Sequence, residues 1–364
     1  MPPMRPEESR ARLKGLDALR GFAALSVCLF HYTYSFTDST GRAFDPGFSW
    51  PYGLYGVDLF FIISGFVIFM TLENSRHVYD FAAARFARIY PAFLAALTLT
   101  TTVLLLSPLD MLKPTAMKFV ANLSMMPLLF GQRVVEGAYW TLAFEAGFYL
   151  FAATVLRRCG ERRLEIACFA WLGGTLLLRY QPVLIWHYPY LLMLARMLTT
   201  GNWSFLFIIG IMLYRICSGR ARPATYALLA ACLLVGLTGP MTGVRPMTGV
   251  EYCAMISAFA LLVWLGGSDR LPLRILAPFV FLGDISYSFY LLHESIGWVA
   301  IDRMLAWGVE AHVAFAVTLA GAIALAFAVN RVVEKPAQRA LRGFFARQRA
   351  RVLRESRPLA VAAE

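Results

Sequence analysis

Charge is scarce in this chain. Only 15% of its 364 residues are charged, while 59% are hydrophobic. A soluble domain of this length carries far more charge, so a free globular protein is excluded. Acid is scarcer than base: 22 Asp and Glu stand against 34 Lys and Arg, a net charge of +12. Cysteine offers no framework. Cys28, Cys159, Cys168, Cys217, Cys232 and Cys253 are scattered, mostly through apolar runs. They have neither metal-ligand spacing nor a disulfide pattern, so no metal is expected. No internal repeat and no separable soluble domain is visible.

What the chain has in abundance is apolar length. Stretches able to span a bilayer recur from end to end, which makes an all-α polytopic membrane protein. About ten spans are expected: 16–36, 54–72, 89–108, 139–156, 165–179, 202–214, 224–240, 250–266, 276–298 and 311–330. "PVLIWHYPYLLMLARML" (182–198) reads as an interfacial or re-entrant helix. The first stretch is followed by "TYSFTDSTGRAF", which has no cleavage site of small residues. It therefore reads as a retained span rather than a signal peptide. Residues 1–15 and 336–364 read as basic, Arg-rich tails around a transmembrane domain over 16–335.

The basic residues are sorted by side. With the N-terminus inside, 25 of the 34 Lys and Arg fall in inside segments and 7 in outside segments; Arg20 and Arg179 lie within spans. This bias puts both termini in the cytoplasm. It accounts for the net charge through anionic lipid, with no nucleic-acid partner needed.

Ionisable groups inside spans are costly and mark function. His31, Asp58 and Glu145 each lie four to six residues inside the outer end of their span. That is about 6 to 9 Å deep, so three groups from three helices are expected in one layer. A carboxylate beside an imidazole fixes its tautomer and favours proton uptake, as a general base requires. His293 lies near the outer end of the ninth span. Arg20 is eleven residues before His31, about 16 Å away on nearly the same face. Arg85 and Arg88 in "RFARIYPAF" lie on the same side as Arg20. Guanidinium groups suit phosphate. An elongated substrate with a phosphorylated cytoplasmic end and a reactive far end fits this layout, and acyl-coenzyme A has that shape. A proton-coupled transporter or flippase is the alternative use of a His/Asp/Glu layer.

These motifs together resemble the membrane acyltransferase-3 family. "LDALRGFAALSVCLFHY" resembles its first-helix motif, with Arg20 and His31. "GVDLFFIISGFVI" resembles the second-helix motif, with Asp58, Ser64 and Gly65. "RFARIYPAF" resembles the arginine motif. "YWTLAFEAGFYL" resembles the Trp-Ser-Leu-x-x-Glu motif, with Trp140 and Glu145 in place and Thr141 for Ser. "SYSFYLLHESI" and "EKPAQRALR" resemble the last motifs, although Glu294 and Ser295 depart from the usual apolar-Pro pair after His293.

The resemblance implies transfer of an acyl group, usually acetyl, from cytoplasmic coenzyme A to a hydroxyl acceptor at the bacterial inner membrane. That acceptor is often a sugar of a surface polysaccharide or lipid-linked glycan. His31 is expected to be the base, with Glu145 or Asp58 orienting it. Arg20, Arg85 and Arg88 are expected to bind the donor. Trp140, Ser64 and His293 are expected to contact substrate.

Overall fold

The computed structural model describes residues 6–75, 77–179, 189–240 and 247–361. It is all helical, with no strand among the described residues. The chain opens with α1 (Pro6–Phe30), a π-helical turn (His31–Ser35) and α2 (Phe36–Thr40), which form one continuous rod. Then come α3 (Gly56–Glu73), α4 (Val78–Leu105), α5 (Ala116–Asn122), α6 (Trp140–Phe151) and α7 (Arg157–Arg179). These are followed by α8 (Pro189–Leu198), α9 (Ser204–Cys217), α10 (Pro223–Val235) and α11 (Gly249–Gly267). The last helices are α12 (Ala277–Leu292), α13 (Glu294–Ala306), α14 (Ala311–Val329) and α15 (Lys335–Val361).

Among the described residues, six helical stretches are long and apolar enough to cross a bilayer: Pro51–Glu73, Val78–Leu105, Gly137–Gly160, Leu194–Cys217, Gly249–Gly267 and Ala311–Arg351. Pro223–Thr238 and Ala277–Leu292 are shorter apolar helices. The architecture is that of a multi-pass membrane protein. The expected single span over 276–298 is two helices, α12 and α13, separated at His293. The expected interfacial helix appears from Pro189 as α8; its residues 182–188 lie outside the described residues. The segment read as a C-terminal tail continues from α14 through a second π turn (Asn330–Glu334) into α15. Arg349 on α15 donates to Asp80 on α4 at 2.6 Å, which ties this helix to the bundle.

Two helix pairs set the frame. α1 lies on α12 with almost no space between backbones: a Cβ on Gly21 would stand 2.1 Å from the Phe279 carbonyl oxygen, and one on Gly283 would stand 2.0 Å from that of Asp17. Small residues allow this approach, and dispersion then holds the pair in lipid, where no hydrophobic drive exists between helices. α3 meets α9 in the same way, through Gly65 against Phe207 and Gly210 against Ile62. The contacts Asp17–Gly283 and Tyr32–His293 show α1 and α12 running parallel.

The long connection between α4 and α6 folds back beside α4. Asn122, almost fully buried, anchors it by donating to the carbonyls of Lys118 and Arg133 and accepting from the Val135 N–H. Tyr90 on α4 donates to the Leu123 carbonyl at 3.2 Å. As a result α6 begins inside the protein rather than at its edge.

Candidate active site

His31 is the first residue of the π turn that follows α1. Such turns re-aim side chains and recur at functional sites. Its Nδ1 lies 2.8 Å from Nε2 of His293. Its Nε2 lies 3.8 Å from Oε2 of Glu294. Trp298 stands edge-on to the ring and donates its indole N–H to the His31 carbonyl at 3.0 Å. Tyr32 donates to the His293 carbonyl at 2.7 Å. Tyr32 needs the bare backbone of Gly297, where a Cβ would come within 2.3 Å of its hydroxyl oxygen.

Two carboxylates build the floor of this cluster. Glu136 Oε1 accepts the N–H groups of Glu294 and Ser295, both at 3.0 Å, and so caps the start of α13. Glu294 Oε2 accepts the Ala138 N–H at 2.6 Å and caps the turn (Gly137–Tyr139) that opens α6. Each carboxylate satisfies backbone donors that a helix start leaves open, which locks the two elements together at His31. The sequence reading missed Glu136. It lies just outside the apolar run, nine residues before Glu145, where only its place before a helix start could have singled it out.

A second layer lies nearer Arg20. A cavity of about 80 Å³ is lined by Arg20, Arg85, Arg88, Glu145, Ser64 and Tyr149 together with Thr141 and Tyr290. Three guanidinium groups thus face one carboxylate. Glu145 Oε1 is held by the Tyr149 hydroxyl and, at 3.4 Å, by Ser64. Arg85 donates to Thr71 at 2.6 Å and lies over the rings of Phe81 and Tyr149. Its Nε is buried without a partner. Arg20 pairs with Asp17 at 3.7 Å. Arg88 lines the cavity and makes no ion pair among the described residues. The hydroxyls of Tyr290 and Thr141, 3.0 Å apart, close the far wall. His31 does not line the cavity; it lies beyond Tyr290, whose ring is 5.8 Å from that of His293.

The structure gathers Arg20, Arg85, Arg88, Ser64 and Glu145 as one group and His31 with His293 as another. It does not place Glu145 or Asp58 on His31. Asp58 accepts from the Tyr252 hydroxyl at 2.9 Å, between α3 and α11. The reason is depth. The sequence reading measured each residue from the end of its apolar run, as if all ends reached the membrane edge. α6 instead begins at the Glu294 floor. α3 begins with Gly56, pressed on the Ala23 backbone of α1, two turns before His31. Trp140, expected at the substrate, stacks in an aromatic cluster with Phe61, Phe144 and Trp203 and is absent from the cavity lining. His293, also expected at the substrate, is fully buried against His31.

Comparison with known proteins accords with this architecture. The family model described as an acyltransferase domain (acyltransferase 3) matches residues 13–331. Acyltransferase MdmB of Streptomyces mycarofaciens is 26% identical over 91% of this chain and 92% of its own length. A putative acetyltransferase, ORF330, of Acidianus two-tailed virus is 26% identical over 78% of this chain and 84% of its own. O-acetyltransferase OatA of Staphylococcus aureus is 29% identical over 40% of this chain and 24% of its own. No solved structure matches. A transporter reading of the ionisable residues is set aside by these matches: the chain belongs to the acyltransferase-3 family and is a multi-pass membrane O-acyltransferase.

Proposed function

We propose that the protein moves an acyl group, acetyl by preference, from cytoplasmic acyl-coenzyme A to a hydroxyl of a glycan or lipid-linked sugar. The observation that carries this reading is the cavity with three arginines and one carboxylate, closed by the Tyr290–Thr141 pair with His31 beyond it. Guanidinium forks bind phosphate oxygens through strong charge-assisted hydrogen bonds. The side that carries Arg20, Arg85 and Arg88 is also the side richest in basic connections, which supports a cytoplasmic mouth and a plasma-membrane location with both termini inside. The acetyltransferase names of two relatives support acetyl as the group transferred.

The donor's phosphates sit among the arginines, and its acyl end reaches past Tyr290 toward His31. The acceptor oxygen attacks the thioester carbonyl as His31 takes its proton. The tetrahedral intermediate collapses, the carbon–sulfur bond breaks, and the proton passes to sulfur. The products are an ester and free coenzyme A. No covalent acyl-enzyme is required, and no metal takes part.

The test uses purified protein in detergent and acetyl-coenzyme A, with release of free thiol as the signal. A donor lacking the 3′-phosphate should bind more weakly to the parent protein. It should lose little further affinity in Arg88→Ala. An equal loss in both proteins would mean that Arg88 does not contact that phosphate.

A further inference from the structure

The ring nitrogens of the two buried histidines can be assigned without seeing a hydrogen. His293 Nδ1 lies 2.9 Å from the Tyr290 carbonyl oxygen and 3.2 Å from that of Phe289. Carbonyl oxygens only accept, so His293 Nδ1 carries its proton. His293 is fully buried and forms no ion pair with a carboxylate among the described residues, so it is held neutral. Its Nε2 is therefore a bare lone pair. The atom 2.8 Å from that lone pair is Nδ1 of His31. Two lone pairs cannot share a short contact, so His31 Nδ1 donates. In neutral His31 this leaves Nε2 without a proton. Nε2 is the nitrogen that stands 3.8 Å from Glu294.

We propose that His293 is the positioning residue of the active site: it fixes His31 in the Nδ1–H tautomer, with Nε2 as the base and Glu294 placed to stabilise the imidazolium formed there. This deepens the reading of His31 as the base and rests on it. The chain of donors runs inward from the backbone. Tyr290 and Phe289 carbonyls set His293, His293 sets His31, and His31 presents one basic nitrogen. A carboxylate fills the orienting place in many Ser-His-Asp sites. Here a neutral imidazole anchored to helix carbonyls fills it, and the carboxylate faces the reacting nitrogen instead. His293 sits at the junction between α12 and α13, where its carbonyl is free to accept from Tyr32 and Gly297. The hydrogen bond between Tyr32 and His293 in turn clamps the π turn that begins at His31.

The direct test is nitrogen-15 NMR of the parent protein labelled at histidine, with His31→Asn and His293→Gln used for assignment. The expected spectrum has a protonated Nδ1 and a bare Nε2 on His31, and scalar coupling across the hydrogen bond from His31 Nδ1 to His293 Nε2. A proton on Nε2 of neutral His31, or no coupling between the rings, overturns the assignment. Kinetics test its use. In His293→Gln the amide oxygen can still accept from His31 and should keep turnover within about tenfold. His293→Met leaves only a weak thioether acceptor and should lower kcat about 100-fold, toward the lower end of a general-base contribution, with little change in the donor KM. Parental kcat in His293→Met overturns the positioning role even if the spectrum is as expected. If His31→Ala itself keeps parental turnover, the reading of His31 as the base fails, and it fails independently of the tautomer spectrum.

Discussion

Arg20, Arg85, Arg88, Glu145 and Ser64 show how far single residues can be read from a sequence. A guanidinium or carboxylate inside an apolar helix is expensive, so Arg20 and Glu145 could be singled out as candidates before any fold was known. What was not legible was partnership. Glu145 is bonded to Tyr149 and Ser64, Asp58 to Tyr252, and His31 to His293. Glu294 was visible only as a departure from a motif, yet it is the carboxylate nearest His31. Glu294→Gln keeps an oxygen for the Ala138 N–H and removes the charge beside Nε2. It should lower kcat by about tenfold, the loss of one moderately strong charge interaction. The protein should stay folded, because the cap is retained. Steady-state kinetics with a melting curve checks both; unchanged kcat would show that Glu294 serves only as a cap. Glu145→Gln should act differently. It removes the one carboxylate that lines the cavity among the described residues, so the donor KM should fall at low ionic strength and the gain should fade as salt rises. A raised donor KM at every salt concentration would contradict the assignment of the cavity to phosphate.

Helices were easier to read than their ends. The apolar runs located most elements, because a backbone in lipid must satisfy its own hydrogen bonds and so becomes helical. Hydropathy could not reveal that α6 starts buried on Glu294, that the run over 276–298 breaks at His293, or that α15 continues from α14. Each of these depends on contacts between distant segments. The α1–α12 pair is the element on which the site depends, since it carries Arg20 and His31 on one helix and leads to His293 on the other. Gly21→Val would force its Cβ, 2.1 Å from the Phe279 carbonyl, to separate the two backbones. Overpacking of this kind costs about 1–3 kcal/mol, so the variant should melt at lower temperature and lose turnover with it. Gly321→Ala on α14 meets nothing within 4 Å. It should hold or slightly raise the melting temperature, by up to about 1 kcal/mol of helix preference. Equal melting of the parent and the Gly21 variant would show that the close contact does not hold the bundle.

At the scale of the whole molecule, composition alone separated a membrane protein from a soluble one, and the placement of Lys and Arg gave an orientation. That orientation predicts both termini in the cytoplasm. Fluorescent and periplasm-dependent reporters fused after residue 364 check it: the first should be active and the second silent, and the reverse would invert the site's donor side. The central claim is a division of labour between two layers. The arginine cavity binds the donor, and the His31 layer performs the chemistry. Thiol-release kinetics on Arg88→Ala and His31→Ala, run side by side against acetyl-coenzyme A, test it most directly. The account predicts that Arg88→Ala raises the donor KM at least tenfold, from loss of a charged hydrogen bond, with kcat nearly unchanged. It predicts that His31→Ala lowers kcat by about 10²–10⁴-fold with donor binding intact. Near-parental turnover in His31→Ala, or an unchanged donor KM in Arg88→Ala, would contradict it.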